Sequence, residues 1–486
     1  MTSLVNIARW NAGRQHVGTF LVFYIACLCI LFTVAVYYPG FMSYDSVAQL
    51  REARGSVVDN QQPPLMSYMW RVLDHVIPGP AGMLILQAGL YWLAWAWIVQ
   101  LTAASNLVRV PVMLLFGFLP PLFGLVGTIW KDVGMNSFLM MGVVCFLLAE
   151  RRRRLRYLAW ANFFLFLAGS FRHNALVACV PLVVLDVWIA WRILRERYPQ
   201  VEARLQSLGL RPFSVAAMLG ANLVLLAGPV MFVNSYGVVE AHIWSFMAIH
   251  DLVGMSVYQG KNLLPDDITK ENQLTIEDLK GMYVGHNIGS LYQAGSRRFL
   301  GSPDTISTKV ISHHGDPDNL FRTWEIAILD HPGSYLWHRA HVIQKLMVLE
   351  AGKPWYPFNV GIESNPWNIQ YVPSAMDGSV IAGLQFAANS TYLYSAWIYH
   401  LLLVIVAVIA PLLPWRHRWL MAALALSALL YTLTNFIFAP AGDFRYDIWG
   451  ITAACLCCTL ALGGFTIDSG GGGSARKQGL SDSRAH

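Results

Sequence analysis

The stretch 17–38, VGTFLVFYIACLCILFTVAVYY, carries no charged side chain. At about 1.5 Å per residue it is long enough to cross the roughly 30 Å hydrocarbon core of a bilayer as one helix. Lipid offers a backbone no water to bond, so a segment of this kind closes its hydrogen bonds internally and is helical. Comparable apolar runs follow at 83–103, 111–130, 133–150, 157–171, 175–191, 213–234, 386–413, 419–439 and 448–465, about ten spans in all. Those at 157–171 and 175–191 are short and read as tilted, broken or embedded in protein. The chain therefore reads as an all-α polytopic membrane protein, and its 56% hydrophobic and 13% charged residues agree.

Arg9 and Arg14 precede the first run, and no small-residue cleavage site follows it, so it reads as a retained span rather than a removed signal peptide. The formal charge of +6 raises nucleic acid as a partner, but the basic residues sit in short connections between apolar runs, as orientation signals do. Arg9 and Arg14, 106–109, ERRRRLR, the long connection from WRILRER to GLRP, and PWRHRW all fall on one side of the threading. That side reads as the cytoplasm, with both termini inside and five connections outside. All seven cysteines lie in apolar runs and the polar stretch after Tyr236 has none, so neither disulfides nor a thiolate metal site is expected there.

Four regions result. Residues 1–235 form an N-terminal transmembrane module whose first outer loop carries Asp45. Residues 236–385 form an outer region of amphipathic or re-entrant helices, in which IHDLVGMSVYQG and WEIAILDHPGSYLWHRAHVIQKLMVLEAG have helical spacing. Residues 386–466 hold the last spans, and 467–486 form a disordered, Gly/Ser-rich tail, part of which resembles an engineered linker.

The unusual chemistry collects on the outward connections. PGFMSYDS puts Asp45 beside Tyr44 just after the first span. WKDVG puts Lys131 and Asp132 in a tight connection, either as an internal ion pair or as a cation for a phosphate. FRHNA places Arg172, His173 and Asn174 outside, where Arg is normally depleted; a snorkelling Arg and an anion site are the two readings. GDFRYD supplies Arg445 and Tyr446, with Asp443 and Asp447 as available partners. Together these describe basic groups opposed by one carboxylate, a combination suited to transfer from a phosphate leaving group. QQPPLMSYMW, with Gln62 ahead of two prolines, predicts an amphipathic helix with Met66, Met69, Trp70 and Leu73 toward lipid or bundle. His250 and Asp251 serve either to position an acceptor or, for Asp251, to cap a helix. His313, His314, His331, His338 and His341 specify no metal set by spacing.

An Asp after the first span, the QPPL helix start, the Lys-Asp turn and the Arg-Tyr near the last span resemble the GT-C superfamily of integral-membrane glycosyltransferases. The resemblance covers 17–191 and the last span; the outer region matches only in position. It implies a polyprenyl-phosphate-linked sugar such as an undecaprenyl phosphate sugar as donor, a glycan or lipid-linked glycan such as O-antigen as acceptor, and inversion at the anomeric carbon. It implies Asp45 as general base, with Lys131, Arg172, His173 and Arg445 on the donor phosphate. Tyr44, Gln62, Asp132, Asn174, His250, Asp251 and Tyr446 would then help to position donor or acceptor. Many relatives have an acidic pair after the first span, whereas here Tyr44 and Ser46 flank Asp45. The resemblance therefore implies a metal-independent reaction with no cofactor, a divalent metal remaining open. It further implies a bacterial inner membrane, with the site facing the periplasm. Two rival readings are a transporter or flippase of a lipid-linked or anionic substrate, and a polysaccharide ligase or polymerase using diphosphate-linked donors.

Overall fold

The computed structural model describes residues 2–55, 57–102, 106–239, 242–271, 273–293, 316–350 and 354–471. Among these, every regular element is helical, and β-structure is confined to isolated bridges. The first half of the chain forms α1 (Thr2–Tyr37), α2 (Tyr44–Arg54), α3 (Pro64–Val76), α4 (Ala81–Thr102), α5 (Asn106–Gly117), α6 (Pro120–Val126), α7 (Lys131–Arg152), α8 (Arg156–Phe171), α9 (Ala175–Arg197), α10 (Pro199–Ser207) and α11 (Arg211–Ser235). The segment after residue 236 contributes α12 (Trp244–Gln259), α13 (Asp266–Glu271), α14 (Ile276–Met282), α15 (Ser290–Gln293), α16 (Pro317–Asp330) and α17 (Pro332–Leu346). The chain closes with α18 (Ala375–Ser390), α19 (Ala396–Ile409), α20 (Arg418–Phe438) and α21 (Ile448–Gly471). Residues 472–486 of the expected tail, and His313 and His314, lie outside the described residues.

Among the described residues, seven helices are long and apolar enough to cross a membrane: Gly18–Tyr37, Ala81–Thr102, Lys131–Arg152, Ala175–Arg197, Arg211–Ser235, Arg418–Phe438 and Phe444–Gly463. With one bent pair taken as a single span the number is eight, so the expected count of about ten is not confirmed. That pair is the expected run 111–130, which bends by 67° between α5 and α6. Pro120 and Pro121 open α6, and a proline both lacks the helical N–H and drives the residue before it out of the helical region. The run 157–171 forms the 16-residue α8. The run 386–413 divides into the end of α18, a short 3₁₀ turn at Tyr392–Tyr394 and α19. Thr391 causes the break: its hydroxyl donates to Ala387 O (2.6 Å) and accepts from Leu393 N (3.2 Å), diverting the backbone into a local turn.

The hub is α7, whose apolar window is 89% buried and which packs against α4, α8, α9 and α21; α11 lies at the rim with 11% of its window buried. A second, smaller apolar core, including Ile249, Leu252, Leu279 and Leu320, joins α12, α14 and α16. Up-and-down connectivity brings the C-terminal ends of α1, α8 and α20 together with the N-terminal ends of α7, α9 and α21. The opposite end holds the Glu150–His417 contact (3.2 Å) and the exposed Arg153–Glu196 pair (3.5 Å).

Candidate active site

Asp45 is placed by a backbone clamp. Helix α1 stops at Pro39–Gly40, where Gly40 takes a left-handed φ of +115° and a Cβ would sit 3.0 Å from Ile129, so a side chain is strained there on both counts. Phe41 and Met42 then run extended between two other segments. Phe41 N–H donates to Gly127 O (3.0 Å) and Ile129 N–H to Phe41 O (2.9 Å) on one side; Met42 N–H donates to Gly361 O (3.0 Å) and Glu363 N–H to Met42 O (2.9 Å) on the other. Close approach depends on Gly127, whose Cβ would lie 2.0 Å from the Tyr37 ring. Ser43 N–H bonds Ser46 Oγ (3.2 Å), Ser46 Oγ bonds Ile129 O (2.7 Å), and Trp130 Nε1 bonds Ser43 Oγ (2.7 Å). This network starts α2 with Asp45 in its first turn, where the helix dipole favours a carboxylate.

The clamp fixes Asp45 against three cations from distant parts of the chain. Arg445 Nη1 lies 2.7 Å from Asp45 Oδ2, while Arg445 Nη2 reaches Asp443 Oδ2 at 3.1 Å. Gln62 bridges the remaining pair, accepting from Lys131 Nζ (2.5 Å) and donating to Asp45 Oδ1 (3.5 Å). Arg172 pairs with Asp132, so the Asp of the Lys-Asp turn is the partner of Arg172 rather than of its neighbour Lys131. Tyr446 separates the arginines: the Arg172 Cζ lies 4.4 Å and the Arg445 Cζ 5.4 Å from its ring centroid, and Arg445 also covers Trp130 at 4.8 Å. Asn174 accepts from Arg172 Nε (3.1 Å) and donates to Asn435 (2.7 Å), which in turn donates to Tyr446 O (3.3 Å).

Burial raises the Asp45 carboxyl, but Arg445, Lys131 and Arg172 outweigh it and hold the group at about 2. Asp443 goes the other way, burial outweighing Arg445. His173 borders the cluster at an exposed position, and the surrounding protein, with Lys131 and Arg172 nearby, lowers its imidazole from the ordinary value. Tyr44 lies at the outer rim with 37% of its surface exposed. The arrangement joins a carboxylate able to take a proton to cations able to hold an anion, within one hydrogen-bonded frame.

His250 and Asp251 belong to a different cluster. Asp251 is in the interior of α12 and so is not a cap; it accepts from Trp324 Nε1 (2.9 Å) and pairs with Arg339 (2.6 Å) and His338 (3.1 Å). The His250 ring stands perpendicular to that of His338 at 4.6 Å, and Tyr283 OH bonds His338 Nδ1 (2.9 Å). Arg339 also donates to Ala439 O (2.8 Å), tying α17 to the end of α20. His341 turns to Trp337 (4.3 Å), away from the partners of His338. The QPPL start opens α3 as expected, with Met66 and Trp70 fully buried.

The sequence reading did not single out Gln49, Glu52 and Asp59. Gln49 and Glu52 follow Asp45 at i+4 and i+7 on α2, a spacing visible in YDSVAQLREAR once that segment is known to be helical. Comparison of the chain with family models, with curated proteins and with solved structures yields no match.

Proposed function

We propose that the chain is an inverting glycosyltransferase that moves a sugar from a polyprenyl-phosphate donor to an acceptor hydroxyl at the extracytoplasmic face of a bacterial inner membrane. The observation that carries this reading is the contact of Asp45 with Arg445, one glutamine away from Lys131, on a scaffold of apolar helices. Lys131, Arg172 and Arg445 suit a phosphate whose charge grows as the sugar leaves, and the apolar helix surfaces suit a polyprenyl tail.

Both arginines already have carboxylate partners, Arg445 with Asp45 and Asp443 and Arg172 with Asp132. A donor phosphate takes the place of Asp45 on Arg445 and adds Lys131. This exchange frees the carboxylate and removes the cation that most depresses its basicity. The acceptor hydroxyl then attacks the anomeric carbon as its proton passes to Asp45. The new carbon–oxygen bond forms as the bond from that carbon to the phosphate oxygen breaks, and polyprenyl phosphate leaves with the electron pair. One displacement inverts the anomeric centre. A surface glycan such as O-antigen is the acceptor class, with both termini of the enzyme cytoplasmic.

The test is full-length protein in detergent with a polyprenyl-phosphate sugar, following loss of donor. Wild-type protein consumes donor when acceptor glycan is added, and Lys131→Ala raises KM for the donor about tenfold or more, the loss of one charge-assisted phosphate contact. Transport of a solute into liposomes without donor loss would replace this reading with the transporter.

A further inference from the structure

One face of α2 continues past Asp45. Asp45, Gln49 and Glu52 recur at i, i+4 and i+7, so they share an edge of the helix, and Glu52 lies about 10 Å beyond Asp45 along the axis. Gln49 is 1% exposed, and its Nε2 has no hydrogen-bond partner, an unusual state for a buried amide. Glu52 remains partly exposed and faces two groups: Ser67 Oγ on α3 donates to its Oε2 (2.6 Å), and the Asp59 carboxyl lies near enough to raise its own. Asp59 is itself fixed, accepting from Gln61 N (2.9 Å), while the neighbouring backbone pairs with Val239 through Val239 N to Val58 O (3.0 Å) and Asn60 N to Val239 O (3.1 Å). Gln62, three residues on, is the bridge between Asp45 and Lys131.

We propose that Gln49, Glu52 and Asp59 form a second acceptor subsite, one that binds the hydroxyls of a sugar adjoining the residue that reacts at Asp45, so that the acceptor is a chain of two or more sugars. This rests on the glycosyltransferase reading. An amide and a carboxyl pair holding one proton offer both donors and acceptors, as sugar hydroxyls require, without the charge that would select a cation. Burial pushes the Glu52 carboxyl up to about 8 and raises Asp59 as well, which agrees with a shared proton at neutral pH. The Glu52 end of the subsite lies farther from Asp45 than a single hexose ring reaches, so that end discriminates by acceptor length.

The experiment applies full-length protein in detergent to immobilised oligosaccharides of increasing length, comparing wild type with Gln49→Leu, Glu52→Ala and Glu52→Gln, and measures polyprenyl-phosphate binding in parallel. Wild type is expected to bind chains of two or more sugars and not single sugars. Gln49→Leu and Glu52→Ala each weaken that binding about tenfold, whereas Glu52→Gln, uncharged and of the same shape, restores most of it. The proposal is overturned if wild type binds no saccharide or ignores length, if Gln49→Leu and Glu52→Ala bind like wild type, or if Glu52→Gln loses as much as Glu52→Ala. Failure of wild type to bind polyprenyl phosphate while it still binds saccharide sinks the donor assignment instead, so the two failures are distinguishable.

Discussion

Asp45→Asn separates the two roles given to Asp45, ligand exchange and proton acceptance, because it moves them in opposite directions. The fall of the Asp45 carboxyl from its ordinary 3.8 to about 2 corresponds to about 2.4 kcal/mol favouring the ionised form, at about 1.36 kcal/mol per pH unit. The side chain is 25% exposed, and Lys131 and Arg172 share the attraction with Arg445. Taking about half of the total for the Arg445 contact leaves about 1.2 kcal/mol that a donor phosphate has to displace. Asparagine keeps the shape and removes that competition, so polyprenyl phosphate should bind about tenfold more tightly while transfer falls by at least about a hundredfold. The folded carboxyl is depressed, so the pair is fully ionised above 3.8 and is lost only as the pH drops toward about 2. The affinity difference therefore holds across neutral pH. Kd is read by titrating the detergent-solubilised full chain with polyprenyl phosphate, and turnover by donor loss. Weaker binding by the Asn variant would refute the exchange step, and transfer at the wild-type rate would refute the base.

Two further predictions concern the frame. Gly127→Ala pushes a methyl into the Tyr37 ring and should destabilise the protein by about 1–3 kcal/mol, whereas Gly142→Ala, whose nearest contact would be an ordinary 3.6 Å, should have little effect; thermal unfolding in detergent compares them. Asp251→Asn leaves the buried Arg339 without its carboxylate and should cost about 3–5 kcal/mol, read as earlier unfolding of α12 and α17 by hydrogen exchange; wild-type protection there would refute a structural ion pair.

The positions of Lys131, Arg172 and Arg445 were legible because each is a cation in a tight connection, and the order of apolar runs alone puts those connections at the same end as Asp45. Their pairing was not legible. Asp132 is adjacent to Lys131 in sequence, yet at the start of α7 its side chain meets Arg172 at the end of α8, a choice that depends on how two helices pack. Asp251 likewise finds Arg339, 88 residues away, through the second apolar core. Apolar length concealed the breaks in the runs 111–130 and 386–413: hydropathy adds up across Pro120–Pro121 and across Thr391, whereas the backbone does not continue through them. The Gln49–Glu52 edge was missed because YDSVAQLREAR is too polar to announce a helix, and its start depends on Ser46 reaching Ile129.

These tertiary pairings bear directly on function. A buried arginine without a counter-charge costs several kcal/mol, so a site with three cations at the edge of an apolar bundle is stable at rest only if carboxylates or polar groups occupy them. Asp45 and Asp443 do so for Arg445, Asp132 for Arg172 and the Gln62 amide for Lys131. Anion binding then becomes an exchange of partners, and the exchange is easiest where the resident group is most exposed. The Asp132 side chain is fully buried and pairs with an arginine stacked on Tyr446, whereas Asp45 is partly exposed and begins a helix that is anchored to its surroundings by backbone bonds on either side of Phe41 and Met42. Between the Asp45–Arg445 and Asp132–Arg172 pairs, the one containing Asp45 is therefore the one that the proposed exchange opens, and on that proposal the carboxylate displaced from Arg445 is the one that serves as the base.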